Sequence, residues 1–177
     1  MPGPVVHALP SDVSIRSLNQ DDVPAVEQLY ARLNEHDAYM RFFGARPKHL
    51  RALAEYTCRQ DDGDCALGAF RDDHLLGVAN YVRGPLPQNR PHSDVEIAII
   101  VDHNAQSHGI GSALLTRLAA HARAAGIQWM TAEVLAENSL MLQVIRELGL
   151  GHRLHLDGST MSLDIDLKAG DLAAPPP

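Results

Sequence analysis

The residues best suited to chemistry lie in the run Val101-Asp102-His103-Asn104-Ala105-Gln106-Ser107-His108-Gly109-Ile110-Gly111. An apolar stretch, Val95 to Val101, precedes the loop, and Ser112-Ala113-Leu114-Leu115 follows it. Strand, polar glycine loop and helix in that order make an anion cradle. Glycine lets the backbone approach closely, and a helix start offers unpaired N–H groups at the positive end of a dipole. Two other phosphate loops fail on particular residues. A Walker A loop needs a lysine after its last glycine, and none follows Gly111. A dinucleotide fingerprint needs a small residue three places after its second glycine, where this chain has Leu114. It also needs an acidic residue after a second strand, and none stands at that distance. The plain structural alternative is a helix start that happens to hold two glycines.

Glu96 is the second chemical candidate, because it interrupts the apolar strand Val95-Glu96-Ile97-Ala98-Ile99. It either marks the exposed end of that strand or acts as a general base. Asp94 and Asp102 are weaker candidates for the base. The ten histidines are scattered, with no His-x-x-x-His pair on an expected helix. His152 and His155 would face opposite sides of a strand. They read as solvated surface residues, and no metal site is expected.

Bulk properties narrow the function class. At 177 residues the chain is most simply one domain with a real core. Lysine plus arginine is 15 against 22 aspartate plus glutamate, giving −7. That balance argues against a nucleic-acid partner and modestly favours a cationic substrate. Cys58 and Cys65 match neither a metal pair nor a disulfide framework, so a reducing, cytoplasmic setting is expected. No signal peptide or membrane-spanning run is apparent, and no membrane partner is expected.

The elements that must position these residues follow from periodicity. Residues 1–12 read as a flexible leader, 13–168 as a single folded domain and 169–177 as a disordered tail. Val13 to Leu18 alternates as a half-buried strand. Asn19 caps a helix with Val23, Val26, Leu29, Tyr30 and Leu33 on one face. Asn34 to Phe43 looks irregular or weakly helical. Pro47 opens a further helix through Leu50, Leu53, Ala54 and Thr57. Cys65 to Phe70 and Leu75 to Val82 form a hairpin across Arg71-Asp72-Asp73-His74. Gly84 to Ser93, with three prolines, reads as a loop. Val95 to Val101 is a strand expected to be buried on both faces. Ile110 to Ala125 is a helix with Leu114, Leu115, Leu118 and Ala122 inward. Trp129 to Leu135 is a strand, Asn138 starts a helix ending near Gly149, and a last hairpin turns at Asp157-Gly158.

The spacing Gln-x-x-Gly-x-Gly, here Gln106 to Gly111, resembles the acetyl-CoA pyrophosphate loop of the GNAT superfamily of N-acetyltransferases. A second segment is also similar: Asn138-Ser139-Leu140-Met141, Ile145 and Leu148-Gly149-Leu150 resemble the Asn-x-x-Ala, Tyr and Gly-Phe pattern of the last GNAT helix. The resemblance implies an α/β (α+β) fold with a mixed, mostly antiparallel central sheet, splayed at its middle, and helices on both faces. It implies acetyl-CoA as co-substrate. Ile99, Ile100 and Val101 would pair with its pantetheine, and Gln106, Ser107, His108, Gly109, Ile110, Gly111 and Ser112 would wrap its pyrophosphate. Asn138 and Met141 would complete the cofactor site, although an N-cap is an equal reading of Asn138. The tyrosine that protonates the leaving thiolate in that pattern is replaced by Ile145. Water or another donor, with Tyr39, Tyr56 and Tyr81 as candidates, would serve instead.

Residues Asn34 to Phe43 look like the Ser-x-x-x-x-Tyr-x-Arg-Phe-Phe segment of bacterial protein lysine acetyltransferases, although Asn34 or His36 stands where serine is usual. In that resemblance Tyr39, Arg41 and Phe42 bind the acceptor, a protein lysine, and Glu96 is the base. No cyclic-nucleotide domain is expected in this sequence. A packed aromatic cluster is the structural alternative for these side chains. Two other functions stay open: a small-molecule amine N-acetyltransferase, and a non-catalytic acyl-CoA-binding sensor. The oligomeric state is not legible.

Overall fold

The computed structural model describes residues 8–61, 63–83 and 95–168. Most of the expected leader, the loop from Gly84 to Ser93, Asp94 and the tail from 169 lie outside the described residues. Strand β1 (Val13–Ser17) leads into a single 3-10 turn (Gln20–Asp22) and helix α1 (Val23–Arg32). Asn19 and Asp22 form a reciprocal capping box there, and Pro24 sits in the first turn, where a missing N–H costs nothing. Helices α2 (Glu35–Phe42) and α3 (Leu50–Cys58) follow, then the hairpin β2 (Cys65–Arg71) and β3 (His74–Val82). The rest is β4 (Val95–Val101), α4 (Ile110–Ala124), β5 (Trp129–Leu135), α5 (Ser139–Glu147), β6 (Gly151–Asp157) and β7 (Thr160–Asp166).

The seven strands make one sheet in the order β1-β2-β3-β4-β5-β7-β6. All neighbours run antiparallel except β4 and β5. That parallel pair touches only at Val95↔Met130 and Glu96↔Thr131. Beyond Glu96 the two strands diverge: β4 stays on β3 to Val101, while β5 stays on β7 to Leu135. The mixed, splayed sheet expected from the resemblance is therefore present. Its middle opens into a wedge between two strands.

Each face of the sheet carries its own apolar layer. Helices α4 and α5 cover one face, where Leu114, Leu115 and Leu118 meet Val95, Ile97 and Met130. Helices α1 and α3 cover the other, where Leu29 and Tyr30 meet Phe70, Leu75, Val78 and Ile100. The Tyr30 hydroxyl and Thr57 Oγ1 share a hydrogen bond of 3.0 Å that ties α1 to α3 within the apolar layer. None of the described helices is long and apolar enough to cross a membrane.

Three local expectations change. Residues Asn34 to Phe43 are not irregular, because α2 is a regular helix capped by the Asn34 side chain on the Asp37 N–H. Helix α3 begins at Leu50 rather than at Pro47. Strand β4 is not buried on both faces: Val95, Ile97 and Ile100 are buried, Glu96 is exposed, and Ala98, Ile99 and Val101 are half-buried. The splay, which leaves the second half with a strand neighbour on one edge only, accounts for Ala98, Ile99 and Val101.

Candidate active site

The cleft begins at the start of α4. Gly109 holds the N-cap position with φ 78° and has no side chain to cap the helix. The first amides of this 15-residue helix are thus left for another acceptor. Ser107, just before, has φ 61°. A left-handed serine followed by a left-handed glycine turns the chain abruptly from Gln106 into the helix. A Cβ at Gly111 would meet Val144 Cγ2 at 3.3 Å, so this glycine serves the approach of α5 to α4.

A cavity of about 230 Å³ opens from that point. Ile99, Ile100 and Val101 line it, as do Gln106, Ser107, Gly109, Gly111 and Ser112, and from α5 and its cap Asn138 and Met141. These expected cofactor residues are thus brought together around one space. His108 and Ile110 are not among its lining. His108 is exposed, with Nδ1 2.6 Å from the Gln106 carbonyl, while the Ile110 side chain is buried in the core. Asn138 accepts the Met141 N–H at 3.1 Å, so it caps α5 while facing the cavity.

A second cavity, of about 110 Å³, fills the wedge between β4 and β5. Glu96 and Arg41 line it, together with Phe43, Glu133 and Val134. Met40, Ile99, Ile100, Asn138 and Met141 line both cavities, so the two spaces meet at these five residues. Tyr39 is exposed on α2 and lines neither, and Phe42 packs edge-on against Tyr30 at 6.0 Å between centroids. Of the three expected acceptor residues, only Arg41 borders the cleft.

The charges around the first cavity are mostly negative. Asp37, Glu137 and Glu147 line it, His36 joins them, and no lysine or arginine does. Glu147 accepts the Ser112 hydroxyl at the start of α4. An anion held here would rely on backbone N–H groups and the helix dipole. The uncapped α4 terminus fits a pyrophosphate on those grounds.

Asp102, the weaker candidate for a base, is occupied elsewhere. It pairs with Arg32, and it accepts the Asn104 N–H at 3.1 Å. Burial acts to raise its carboxyl, but the Arg32 hydrogen bond and the Asn104 N–H outweigh that and hold it below the usual carboxylate range. None of the tyrosines named as thiolate donors lines either cavity. Tyr81 lies buried beside Cys65, and burial raises its hydroxyl above the ordinary value, which makes it a poorer acid. Ile145 is 2% exposed and belongs to the core, so no protonatable group replaces the missing tyrosine at that position. Among the described residues no group of His, Cys, Asp and Glu could hold a metal.

Sequence reading missed Asp37. It is 5% exposed, and its carboxylate meets Gln106 Nε2 at 3.2 Å and His103 Nδ1 at 3.1 Å. These partners lie 69 and 66 residues away, so no local pattern could have found them. Met40, Glu137 and Ser139 also line the first cavity and were not singled out in the sequence.

Comparison with known proteins agrees with this geometry. The model of the acetyltransferase (GNAT) family matches residues 25–150. Acetyltransferase Pat of Mycolicibacterium smegmatis is 31% identical over 144 residues, which is 80% of this chain and 39% of that protein. The chain thus spans about two-fifths of the length of that curated relative. The GNAT domain of S. lividans PAT superposes with a TM-score of 0.75 at 26% identity, covering 87% of this chain and 90% of that one. The yncA protein of Salmonella typhimurium, solved with its cofactor acetyl-CoA, gives a TM-score of 0.69 at 21% identity, covering 94% and 99%.

Proposed function

This chain belongs to the acetyltransferase (GNAT) family of N-acetyltransferases, and we propose that it transfers acetyl from acetyl-CoA directly to a protein lysine, with Glu96 as general base. The observation that carries this reading is the meeting of two cavities at Met40, Ile99, Ile100, Asn138 and Met141. One cavity ends at the uncapped start of α4, and the other contains Glu96. A thioester lodged at the junction lies between an anion cradle and a base.

Acetyl-CoA supplies the activated carbonyl. Ile99 to Val101 offer a strand edge free of β5, to which an extended pantetheine adds as a further strand. Gln106, Ser107, Gly109, Gly111 and Ser112 enclose the pyrophosphate, with the backbone of His108 and Ile110 completing the turn. Asn138 and Met141 hold the thioester end. Glu96, directly or through one water, takes a proton from the incoming ammonium. The neutral nitrogen then forms the C–N bond as the C–S bond breaks, its excess proton passes through water to the departing thiolate, and Glu96 later gives its own proton to solvent. The thiol has a pKa near ~8.5, so it leaves without a dedicated acid, consistent with the buried Ile145. Arg41, which lines the same cavity as Glu96, meets the acceptor, while Tyr39 and Phe42 stand outside the cavity lining on the same helix.

The lysine acceptor rests on the likeness to Pat and on the Tyr39 to Phe43 segment. Two cysteines without a disulfide suit a cytoplasmic enzyme. The test is release of CoA from acetyl-CoA with a panel of folded proteins, lysine peptides, polyamines and amino acids. Turnover on folded proteins or lysine peptides is expected. Turnover on small amines alone would transfer the reading to a small-molecule enzyme, and tight binding with no turnover on any of them would favour a sensor.

A further inference from the structure

Resting on that reading of the cofactor cleft, we propose that Asp37 is a positioning residue that latches the acceptor-side helix α2 to the pyrophosphate loop. Occupation of the loop then orders the wall over the transfer point. Of the eight residues of α2, only Asp37 and Ala38 are buried, and half-buried Phe42 packs on Tyr30, so the helix is anchored along one narrow apolar edge. It nevertheless carries Met40, which lines both cavities, and Arg41, which lines the acceptor side.

The Asp37 carboxylate is not needed to cap its own helix, because the Asn34 side chain already does so. Its partners come from the cofactor loop. Gln106 Nε2 donates to it at 3.2 Å and to the Val101 carbonyl at 3.1 Å. His103 Nδ1 lies 3.1 Å from the same carboxylate oxygen. One glutamine amide therefore joins α2, the end of β4 and the loop. Asp22 makes the contrast: its carboxylate is satisfied by Arg16 and the Asn19 N–H, close in sequence, and serves only to fix a turn.

A buried carboxylate is costly unless its hydrogen bonds are made, and those bonds weaken steeply with distance and angle. A loop held around an anion presents Gln106 and His103 to Asp37, whereas a loop that wanders breaks the latch and frees α2. Linkage makes the effect reciprocal: whatever steadies α2 also steadies the loop.

The test is amide hydrogen exchange of α2, with free CoA as the probe, in the wild type, Asp37→Ala and His103→Ala. In the wild type, CoA is expected to slow exchange in residues 35–42 by about tenfold, within the usual range of coupling between sites. In either variant the slowing should fall below about twofold, while CoA still protects the first turn of α4. The double variant should lose no more than either single one. A merely structural role would speed α2 exchange by the same factor with and without CoA, which overturns the proposal. So would protection of α4 but not of α2 in the wild type. If CoA protects neither element, the cofactor reading itself fails and the latch falls with it. Asp37→Asn retains an acceptor for Gln106 and should keep most of the coupling, and it replaces Asp37→Ala if that variant does not fold.

Discussion

Glu96 and Asp102 are carboxylates at the two ends of β4, and their surroundings give them different chemistry. Asp102 is held by Arg32 and a backbone N–H, so its charge is already committed. Glu96 stands exposed at the mouth of the wedge, in the last β4–β5 pair, opposite Thr131. Glu96→Gln should lower kcat by about 10²-fold or more and leave the calorimetric affinity for acetyl-CoA within about twofold. A full rate in that variant would remove Glu96 as the base. Asp102→Asn should instead destabilise the fold by about 1–2 kcal/mol at pH 7, read by urea melts. The sign with pH follows from the depressed carboxyls of Asp102 and Asp22. For Asp22 the main cause is the Arg16 hydrogen bond. A carboxyl lowered by folding stabilises fully above its unfolded value of ~3.9 and loses that contribution as pH falls through the folded value. Wild-type stability should therefore drop below about pH 4, more steeply than that of Asp102→Asn.

Helices α4 and α5 each use their first turn for the cleft, in opposite ways. The α4 start is open because Gly109 provides no cap, and Gly109, Gly111 and Ser112 line the cavity. Gly109→Glu should abolish acetyl-CoA binding by bulk and like charge. The left-handed φ adds a folding cost of about 1–2 kcal/mol, so a thermal melt must accompany the binding measurement. The α5 start is closed by Asn138 on the Met141 N–H. Asn138→Ala should cost about 1 kcal/mol of stability and also weaken acetyl-CoA binding. Loss of stability with unchanged affinity would leave Asn138 as a cap alone. The sequence left Asn34 to Phe43 as irregular or weakly helical, because eight residues offer only the short stripe of Ala38 and Phe42, four places apart. The Asn34 cap and the packing of Phe42 on Tyr30 decide the matter.

The whole molecule is a sheet with an apolar layer on each face and a breach between its central strands. Cys58 lies in the layer under α1 and α3, and burial pushes its thiol up to about 11. Burial also raises Cys65, although a hydrogen bond with Tyr81 acts the other way. At pH 8 about one Cys58 in 10³ is thiolate, so labelling by a thiol reagent should be slow in the native protein and rapid in urea. Rapid labelling of Cys58 without denaturant would mean that the α1–α3 layer opens locally.

Local chemistry was readable from the chain alone. The loop from Gln106 to Gly111, the inward leucines of α4, the cap at Asn138 and both hairpin turns depend on residues within a few places of one another. Their signals are periodicity, capping and turn propensity, and these act before any tertiary contact forms. The family likeness rested on the same short segments. Only the tertiary structure decided where β4 leaves β5, which side chains border the opening, and that Asp37 meets Gln106 across 69 residues. Such contacts leave no trace in local spacing, because they arise from how two layers close on a sheet. Phe42 and Ile145 show the same limit from the other side. The resemblance gave Phe42 an acceptor role and marked Ile145 as the place of a missing tyrosine, and packing set Phe42 on Tyr30 and Ile145 in the core.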